Sequence, residues 1–410
     1  MRLLLAASTW LFLANAQADW PQFLGPNRNG VSTDKTPLTT SLPRDELKRL
    51  WSHDVGDGFA GPVVSGDRCL IFHRKGDRAV LESLDWKTGK QQWVFDYQTN
   101  YVDNFGFDPG PRSCPTVAGD RVFIHGVEGQ LHAVQLNDGK PLWKRDLASE
   151  FASPAGFFGR VSAPLVTEDL VLLDIGGKRD GKPANFIAFD AATGVVKWTA
   201  GDGEADHGSP ALMAAPNQSP AALFFVREGI VGVTPNNGTI LFQERFRSSI
   251  HASVNAASPI VVGNRFFLSS CYNVGAGLWE WDGTKVTNVY KIQEALDCHF
   301  STPVHHNGFL YGFHGRQETG QELRCIALND GNMKWSTPSP AGSVIIADNK
   351  LLVLTERGEL LVAEATPKAW QIHYRAQITG AETRALPALS NGLFYARDKR
   401  KLTCVDLSSK

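Results

Sequence analysis

A cation or an imidazole recurs at one place in the sequence, three or four residues before a proline that opens an apolar run. The five residues are Arg112, Arg160, His207, His299 and Arg384. Guanidinium groups bind carboxylates through two parallel hydrogen bonds, and imidazoles gain or lose a proton near neutral pH. If the fold brings these side chains together, they form a binding site for an anionic group.

Two repeats carry another residue at this place, Asn255 and Phe59. Asp206 and Asp297 each adjoin one of the histidines and offset part of the positive charge, so an anionic small molecule or an acidic peptide loop is the expected ligand. A second interpretation stays open, in which these polar side chains hydrogen-bond the backbone of their own loops. The candidate ligand-binding residues are Arg112, Arg160, His207, Asn255, His299 and Arg384.

Known catalytic motifs are absent from the sequence. It contains no G-x-S-x-G, no H-E-x-x-H and no phosphate-binding loop. Cys298-His299 lacks the first cysteine of a C-x-x-C-H haem motif, and Glu204 with Asp206 is interpreted as a solvated loop pair. We find no acidic spacing that identifies a calcium site, and we predict no catalytic residue and no metal site.

The candidate residues precede the first strand of a repeat that recurs every 40 to 53 residues, a length suited to a four-stranded propeller blade. The opening prolines are Pro62, Pro115, Pro164, Pro210, Pro259, Pro303 and Pro387, and Ser343 takes this place once. Pairs such as Gly66-Asp67 and Asn391-Gly392 separate the apolar runs, and they suit hairpin turns that need positive φ. The sequence therefore predicts an all-β, eight-bladed β-propeller of four-stranded antiparallel blades.

The second half of each repeat has a fixed spacing, in which a small residue is followed by a turn glycine and then by tryptophan. Ala133, Gly139 and Trp143 show it clearly, and the next repeat ends in Trp198. We expect each indole to pack between neighbouring blades rather than to stack on a ligand. The fifth and seventh repeats depart from the pattern, because Gly283 has no tryptophan four residues on and Pro367 interrupts a turn.

The two ends of the repeat region complement each other. Residues 47–55 contain Leu50-Trp51, the ending expected of a fourth strand, and the last repeat stops at Asp406 without one. An unpaired edge would otherwise remain at each end. We predict that the N-terminal strand closes the ring, with Trp51 in the same blade as Phe394 and Leu402.

The repeat resembles the tryptophan-docking motif of the PQQ (pyrroloquinoline quinone) dehydrogenase propellers. Residues 19–32, DWPQFLGPNRNGVS, are similar to the start of exported PQQ-binding-like β-propeller repeat proteins of planctomycete-type bacteria, as are residues 314–318, 364–367 and 375–377. This resemblance implies that the connections between blades share one face around a central channel, where the enzymes of the family have their active site.

The same resemblance gives two functional expectations. Quinoprotein dehydrogenases hold the quinone on a tryptophan, usually against a disulfide of adjacent cysteines and beside Ca²⁺, and this sequence has no adjacent cysteine pair. We therefore expect no cofactor, with PQQ possible but unsupported by residues. The favoured function is a non-catalytic exported propeller that binds a protein or a small anionic ligand at its channel face, as in outer-membrane assembly scaffolds with similar blades, whose lipid-anchor cysteine is missing here. The alternative is a PQQ-dependent dehydrogenase of alcohols or sugars.

The N-terminus predicts export to the periplasm or the exterior. Residues 1–18 have the charge, apolar run and A-x-A site of a signal peptide, residues 19–46 form an N-terminal arm, and residues 47–410 form the propeller. Cleavage removes Arg2 and leaves 40 Lys and Arg against 42 Asp and Glu, so we expect no nucleic-acid partner. No later apolar run approaches the length needed to span a membrane, so we expect no membrane span. We also expect a monomer. The six cysteines should mostly be packing residues, with Cys271 and Cys298 the one pair that could form a disulfide.

Overall fold

Short apolar runs separated by glycine and asparagine turns form antiparallel strands throughout the part of the chain that the structure describes. The computed structural model describes residues 19–42, 46–214 and 220–409. Within these ranges it contains 32 strands, one α-helix (α1, Leu147–Phe151) and one 3-10 helix (Gln317–Thr319). The strands form eight four-stranded antiparallel sheets, which confirms the predicted eight-bladed propeller.

The first four blades follow one another along the chain, and in each of them the four strands are adjacent in sequence order, with the first strand at the channel. Blade 1 is β2 (Val63–Ser65), β3 (Arg68–Lys75), β4 (Arg78–Asp85) and β5 (Gln91–Gln98). Blade 2 is β6 (Thr116–Ala118), β7 (Arg121–His125), β8 (Gln130–Gln135) and β9 (Pro141–Asp146). Blade 3 is β10 (Leu165–Thr167), β11 (Leu170–Arg179), β12 (Lys182–Asp190) and β13 (Val196–Ala200). Blade 4 is β14 (Ala211–Met213), β15 (Ala221–Val226), β16 (Gly229–Val233) and β17 (Ile240–Arg245).

The last four blades complete the ring. Blade 5 is β18 (Ile260–Val262), β19 (Arg265–Ser270), β20 (Gly275–Trp281) and β21 (Val286–Ile292). Blade 6 is β22 (Val304–His306), β23 (Phe309–His314), β24 (Gln321–Ala327) and β25 (Met333–Ser339). Blade 7 is β26 (Gly342–Ala347), β27 (Lys350–Thr355), β28 (Glu359–Glu364) and β29 (Ile372–Gln377). Blade 8 is β30 (Ala388–Ser390), β31 (Leu393–Arg397), β32 (Lys401–Asp406) and, as its outer strand, β1 (Lys48–Asp54).

The N-terminal strand closes the ring as predicted. β1 pairs antiparallel with β32, with Trp51 opposite Cys404 and a one-residue irregularity just before Trp51. Phe394 in β31 and Leu402 in β32 belong to the same sheet. The last blade therefore takes its outer strand from the start of the propeller, and this pairing joins the two ends of the ring.

Docked aromatic rings connect each blade to the next. The indole Nε1 of Trp143 donates a hydrogen bond to the carbonyl of Ala191, at 3.0 Å, in the following blade. A side chain at Gly194 would place its Cβ 2.6 Å from the Trp143 ring, so only glycine, here at φ +69°, allows the ring to lie on the turn. Equivalent bonds of 2.7 to 3.1 Å are made by Trp51, Trp93, Trp198 and Trp335.

Blades 4, 5 and 7 use other aromatic residues at the docking position. Phe242, Tyr290 and Tyr374 occupy the place of the tryptophan in the strand register. The Tyr290 hydroxyl donates to the carbonyl of Leu328 in blade 6, at 2.9 Å, as an indole does elsewhere. The four-residue spacing after the turn glycine is lost in blade 5 because the paired strands extend further beyond the docking pair: Tyr290 lies opposite Leu278, twelve residues earlier, whereas Trp198 lies opposite Ala188, ten residues earlier. The contact between blades is nevertheless kept.

The N-terminal arm crosses the channel. Trp20 is 2% exposed and exchanges two backbone hydrogen bonds with Val64 of blade 1. Arg28 donates to the carbonyls of Ala163 and Pro164 at the start of blade 3, whereas Val31 bridges to Ile346 of blade 7. Blades 3 and 7 lie on opposite sides of an eight-blade ring, so the chain between Arg28 and Val31 spans the channel.

The signal-peptide prediction falls on residues 1–18, outside the described residues. Across the parts of the chain that are described, no helix has the length and apolar character needed to cross a membrane.

The cysteines fill small buried positions. All six, including Cys325 and Cys404 at the first position of the docking motif, are buried free thiols. The Cys271 backbone N–H donates to the Cys298 carbonyl at 3.0 Å, so the two strand ends adjoin, but no disulfide joins them.

A buried carboxylate lies where the closing strand meets blade 1. Glu82 is 2% exposed, and its oxygens lie 2.5 Å from His53 Nε2 of β1 and 2.6 Å from Lys75 Nζ of β3. Burial alone would raise the pKa of Glu82, but hydrogen bonds from His53, His73 and Lys75 outweigh it and hold the pKa well below its usual range. Burial also lowers the pKa of His73, in spite of the nearby Glu82 carboxylate.

We expect the docking position to tolerate the loss of its hydrogen bond better than the loss of its ring. Trp198→Ala should lower the free energy of unfolding by about 3–5 kcal/mol, and Trp198→Phe by about 1 kcal/mol, because phenylalanine keeps the packing. Denaturant unfolding measures both changes. Val195→Ala, on the exposed face just before the same strand, is the control, and equal losses in all three variants would contradict the docking role.

The seam between β1 and blade 1 should make stability depend on pH. Because the folded pKa values of Glu82 and His73 are both lowered, their contribution is fully present above the unfolded pKa values, about 4.3 and 6.5, and is lost as the pH falls from these values through the lower folded ones. Glu82→Gln should cost about 3 kcal/mol at pH 7 and flatten the acid side of the stability profile. Urea unfolding between pH 7 and 3 tests this, with the half-exposed Glu280→Gln as control; parallel profiles for the two variants would refute it.

Candidate functional site

The connections between blades converge on a cavity at one mouth of the channel. Its volume is about 370 Å³, and its walls come from the segments before β2, β6, β10, β14, β18, β22 and β30, together with the start of β26 and loops of blades 5 and 6. Phe23 of the N-terminal arm also lines it. Because the arm crosses the channel, the cavity is a cup, with the arm as its floor, rather than an open pore.

The structure brings four of the six candidate residues together in this cup. Arg112, His207, His299 and Arg384 line the cavity, although they come from four different blade connections. Arg160 and Asn255 do not line it. Side chains at this place of the repeat therefore meet at the channel mouth in four repeats, but not in the two repeats that carry Arg160 and Asn255.

Arg160 and Asn255 bind the backbone instead. Arg160 donates through Nη1 to the carbonyl of Glu128, at 2.8 Å, and through Nε to Ser153 Oγ, at 3.1 Å. Asn255 is 4% exposed, and its side-chain amide donates to the carbonyls of Val226 and Phe246. These two side chains follow the second interpretation, in which polar residues stabilise their own loops.

Arg112 is held by the loop that precedes it. Its guanidinium lies 3.0 Å from an Asp103 carboxylate oxygen and donates to the carbonyl of Phe158, also at 3.0 Å. It also lies 5.0 Å from the centre of the Phe59 ring. Burial would raise the pKa of Asp103, but backbone N–H groups of its loop and the charge of Arg112 lower it, so the pair is ionic.

The other cations of the cup also have carboxylate partners. Arg384 Nε lies 3.9 Å from Glu356, and Arg316 Nε lies 3.3 Å from Glu318. The sequence-based estimate of charge counted only Asp206 and Asp297, because residue spacing does not show that Asp103, nine residues before Arg112, or Glu356 of blade 7 meets an arginine. The positive charge that suggested an anionic ligand is thus largely balanced within the protein.

Asp206 fixes the tautomer of His207. The carboxylate accepts a hydrogen bond from His207 Nδ1, at 2.7 Å, and its other oxygen accepts from the backbone of Asn255, at 2.9 Å. An ionised Asp206 requires the proton of the neutral imidazole on Nδ1, which leaves a lone pair on Nε2. This Nε2 is buried and has no hydrogen-bond partner within the described residues, and the side chain is 9% exposed.

The wall two blades further round the ring contains a second imidazole. His299 Nε2 lies 2.8 Å from the Tyr272 hydroxyl, and burial lowers the pKa of His299, with Glu318 opposing this shift. Across the described ranges, His299 Nδ1, Ser301 Oγ and Gln317 Oε1 are also buried without a hydrogen-bond partner. The cup therefore has a few unpaired polar atoms on walls that are otherwise apolar.

Seven phenylalanines line these walls, and the sequence-based analysis did not identify most of them as part of the site. The phenylalanines that line the cavity are Phe23, Phe59, Phe105, Phe107, Phe157, Phe158 and Phe300. Phe105 is 53% exposed and Phe107 is 48% exposed, which is unusual for such large apolar side chains. The signal in the sequence is a pair of phenylalanines next to glycine in each of the two longest blade connections, within residues 104–107 and 156–159.

One segment identified by the family resemblance, residues 314–318, adjoins the cup. Arg316, Gln317 and Glu318 line the cavity, and His314 Nδ1 accepts a hydrogen bond from the Asp297 backbone, at 3.0 Å. Burial raises the pKa of Asp297 to about 6. The analysis of blade connections overlooked these residues because they lie between the second and third strands of a blade.

The residues of the cup do not fit a quinone cofactor with its calcium ion. No tryptophan lines the cavity, and all six cysteines are unpaired. Among the described residues, no three His, Cys, Asp or Glu side chains are grouped so that they could hold a metal ion. We therefore derive no redox step at this site.

Comparisons with known proteins agree with this fold. A family model described as outer membrane protein assembly factor BamB matches residues 77–337, more than half of the chain. The BamB of Moranella endobia is 21% identical over 347 residues, 80% of this chain and 74% of that protein. A 1-butanol dehydrogenase (cytochrome c) of Thauera butanivorans is 24% identical over 172 residues, 39% of this chain and 23% of that enzyme. The crystal structure of BamB from Moraxella catarrhalis superimposes with a TM-score of 0.64 at 16% identity, covering 88% of this chain and 97% of that one.

The tautomer of His207 can be observed directly. Nitrogen-15 chemical shifts of the neutral ring should show a protonated Nδ1 and an unprotonated Nε2, and Asp206→Asn should raise the share of the other tautomer. The partly exposed His373 is the control, because its shifts should be the same in both proteins. A protonated Nε2 on the neutral ring of the unaltered protein would refute the assignment.

Proposed function

The chain belongs to the family of outer membrane protein assembly factor BamB, and on this premise we propose that it is an exported, non-catalytic propeller that binds a protein partner at its channel mouth. The partner contacts the cup and the exposed phenylalanines around it. The protein acts in the periplasm or outside the cell. Its place among exported proteins of planctomycete-type bacteria stays a prediction from the sequence.

Exposed aromatic side chains at the mouth are the observation that carries this proposal. Phe105 and Phe107 pack against Phe158, at 5.1 and 5.8 Å between ring centres, and still leave about half of their surface in water. Aromatic residues and arginine are enriched in protein interfaces, whereas they are rarely left together on a free surface. Arginine, the other residue type enriched in interfaces, is present as Arg112 and Arg384, which both lie beside Phe59.

Two other candidates are less well supported. A small anionic ligand would meet arginines that already have carboxylate partners, so its electrostatic gain is small. A PQQ-dependent dehydrogenase is suggested by the match to the butanol dehydrogenase, but the cup lacks the residues for the cofactor. Reduction of an artificial electron acceptor by alcohols or sugars, after incubation with PQQ and Ca²⁺, would establish the dehydrogenase and refute our proposal.

Photo-crosslinking tests the binding face. A photoreactive phenylalanine analogue at position 105 or 107 should form a discrete protein adduct when the full chain is irradiated in cells of its source. Val195 and Met333, each 57% exposed on the outside of the ring, are matched control positions and should form none. Adducts from both sets alike, or from neither, would refute a partner at the mouth.

A further inference from the structure

We propose that the cup receives one aromatic side chain with a hydrogen-bond donor, a tyrosine or a tryptophan, presented by the protein partner. This inference rests on the proposed function and names the part of the partner that enters the protein. Its grounds are the charge balance of the cup, the aromatic walls with a closed floor, and the unpaired nitrogen of His207.

Charge excludes a basic side chain and gives no preference for an acidic one. Arg112, Arg316 and Arg384 line the cavity, and their partners Asp103 and Glu356 lie outside the lining. A lysine or arginine that entered would meet three guanidinium groups, and Glu318, the one carboxylate among the lining residues, already lies 3.3 Å from Arg316. A carboxylate would have to compete with partners already in place, so the favoured occupant is neutral.

Shape and surface favour a ring. Phe158 lies edge-on to the His207 imidazole at 5.6 Å, and Tyr272 lies edge-on to the His299 imidazole at 5.5 Å, so two walls of the cup already use aromatic packing. A volume of about 370 Å³ is near the lower limit for ligand pockets and suits one large side chain better than a folded loop. Phe23 closes the far end, so the side chain enters from the mouth.

The imidazole of His207 requires a donor. Asp206 holds the proton on Nδ1, so the buried Nε2 offers a lone pair and has no partner among the described residues. Ser301 Oγ, on the same lining and 4% exposed as a residue, can also accept. A phenylalanine or leucine would fill the space but leave Nε2 unpaired, whereas a phenol O–H or an indole N–H can satisfy it.

Titration with blocked amino acids tests this preference without knowledge of the partner. We expect N-acetyltyrosinamide, followed by NMR shifts of the full chain, to bind about five- to tenfold more tightly than N-acetylphenylalaninamide, the usual effect of one buried hydrogen bond. N-acetyllysinamide should bind more weakly than both. Equal affinities of the tyrosine and phenylalanine probes, lysine binding as strong as tyrosine binding, or no shifts at the mouth would overturn the inference.

Variants assign the preference to His207. His207→Phe should remove the difference between the tyrosine and phenylalanine probes, and Phe158→Ala should weaken both. His373→Phe, on the outer strand of blade 7, makes the same exchange outside the cup and should leave the difference intact. A preference that survives in His207→Phe, in a protein whose melting temperature shows that it is folded, would overturn the inference.

The probes and the photo-crosslinking separate the two proposals. Adducts at position 105 without a preference for tyrosine over phenylalanine would leave a protein partner at the mouth and overturn the aromatic anchor. A tyrosine preference without any adduct would overturn the protein partner, and with it the source of the side chain. Adducts that are reduced by excess N-acetyltyrosinamide, but not by N-acetyllysinamide, would support both.

Discussion

The contact of an aromatic ring with the turn glycine of the next blade is the interaction on which this fold depends. A four-stranded blade buries little apolar surface by itself, so it is stable only against its neighbours. The indole of Trp143 covers the turn at Gly194 and its N–H satisfies a carbonyl that would otherwise be buried unpaired. Because the ring needs a position without a Cβ, the two residues constrain each other, and this explains why the pair recurs through the repeat.

This mutual constraint explains how much of the fold the sequence could predict. Spacing identifies tryptophan and glycine wherever the connection between them has a constant length, and ring closure follows from one missing strand. The spacing failed in blade 5, where the two paired strands extend further beyond the docking pair and place Tyr290 twelve residues after its partner Leu278, whereas Trp198 lies ten residues after Ala188; Tyr290 keeps the same bond to a carbonyl. The pairing register of the two strands preserves the contact, and this register cannot be derived from residue spacing in the sequence.

The site was less predictable because the repeat fixes where a side chain starts and not where it points. Arg112 and Arg160 occupy equivalent places, yet Arg112 lines the cup while Arg160 donates to the carbonyl of Glu128. The difference arises in the loops, because Arg160 finds hydrogen-bond acceptors in Ser153 and Glu128. The sequence overestimated the free charge because spacing does not show which carboxylate an arginine meets: Asp103 lies nine residues before Arg112 in the same connection, and Glu356 lies in blade 7.

The arm across the channel also constrains the order of assembly. Residues near Phe23 and Arg28 precede all the blades in sequence, yet they bind blade 3 on one side and blade 7 on the other. The arm can therefore bind at its final position only after most of the ring has formed. Until then, the apolar residues of the arm are exposed to water. Once in place, the arm is a diameter that joins opposite blades, and the ring cannot open at its seam without also breaking this link through its centre.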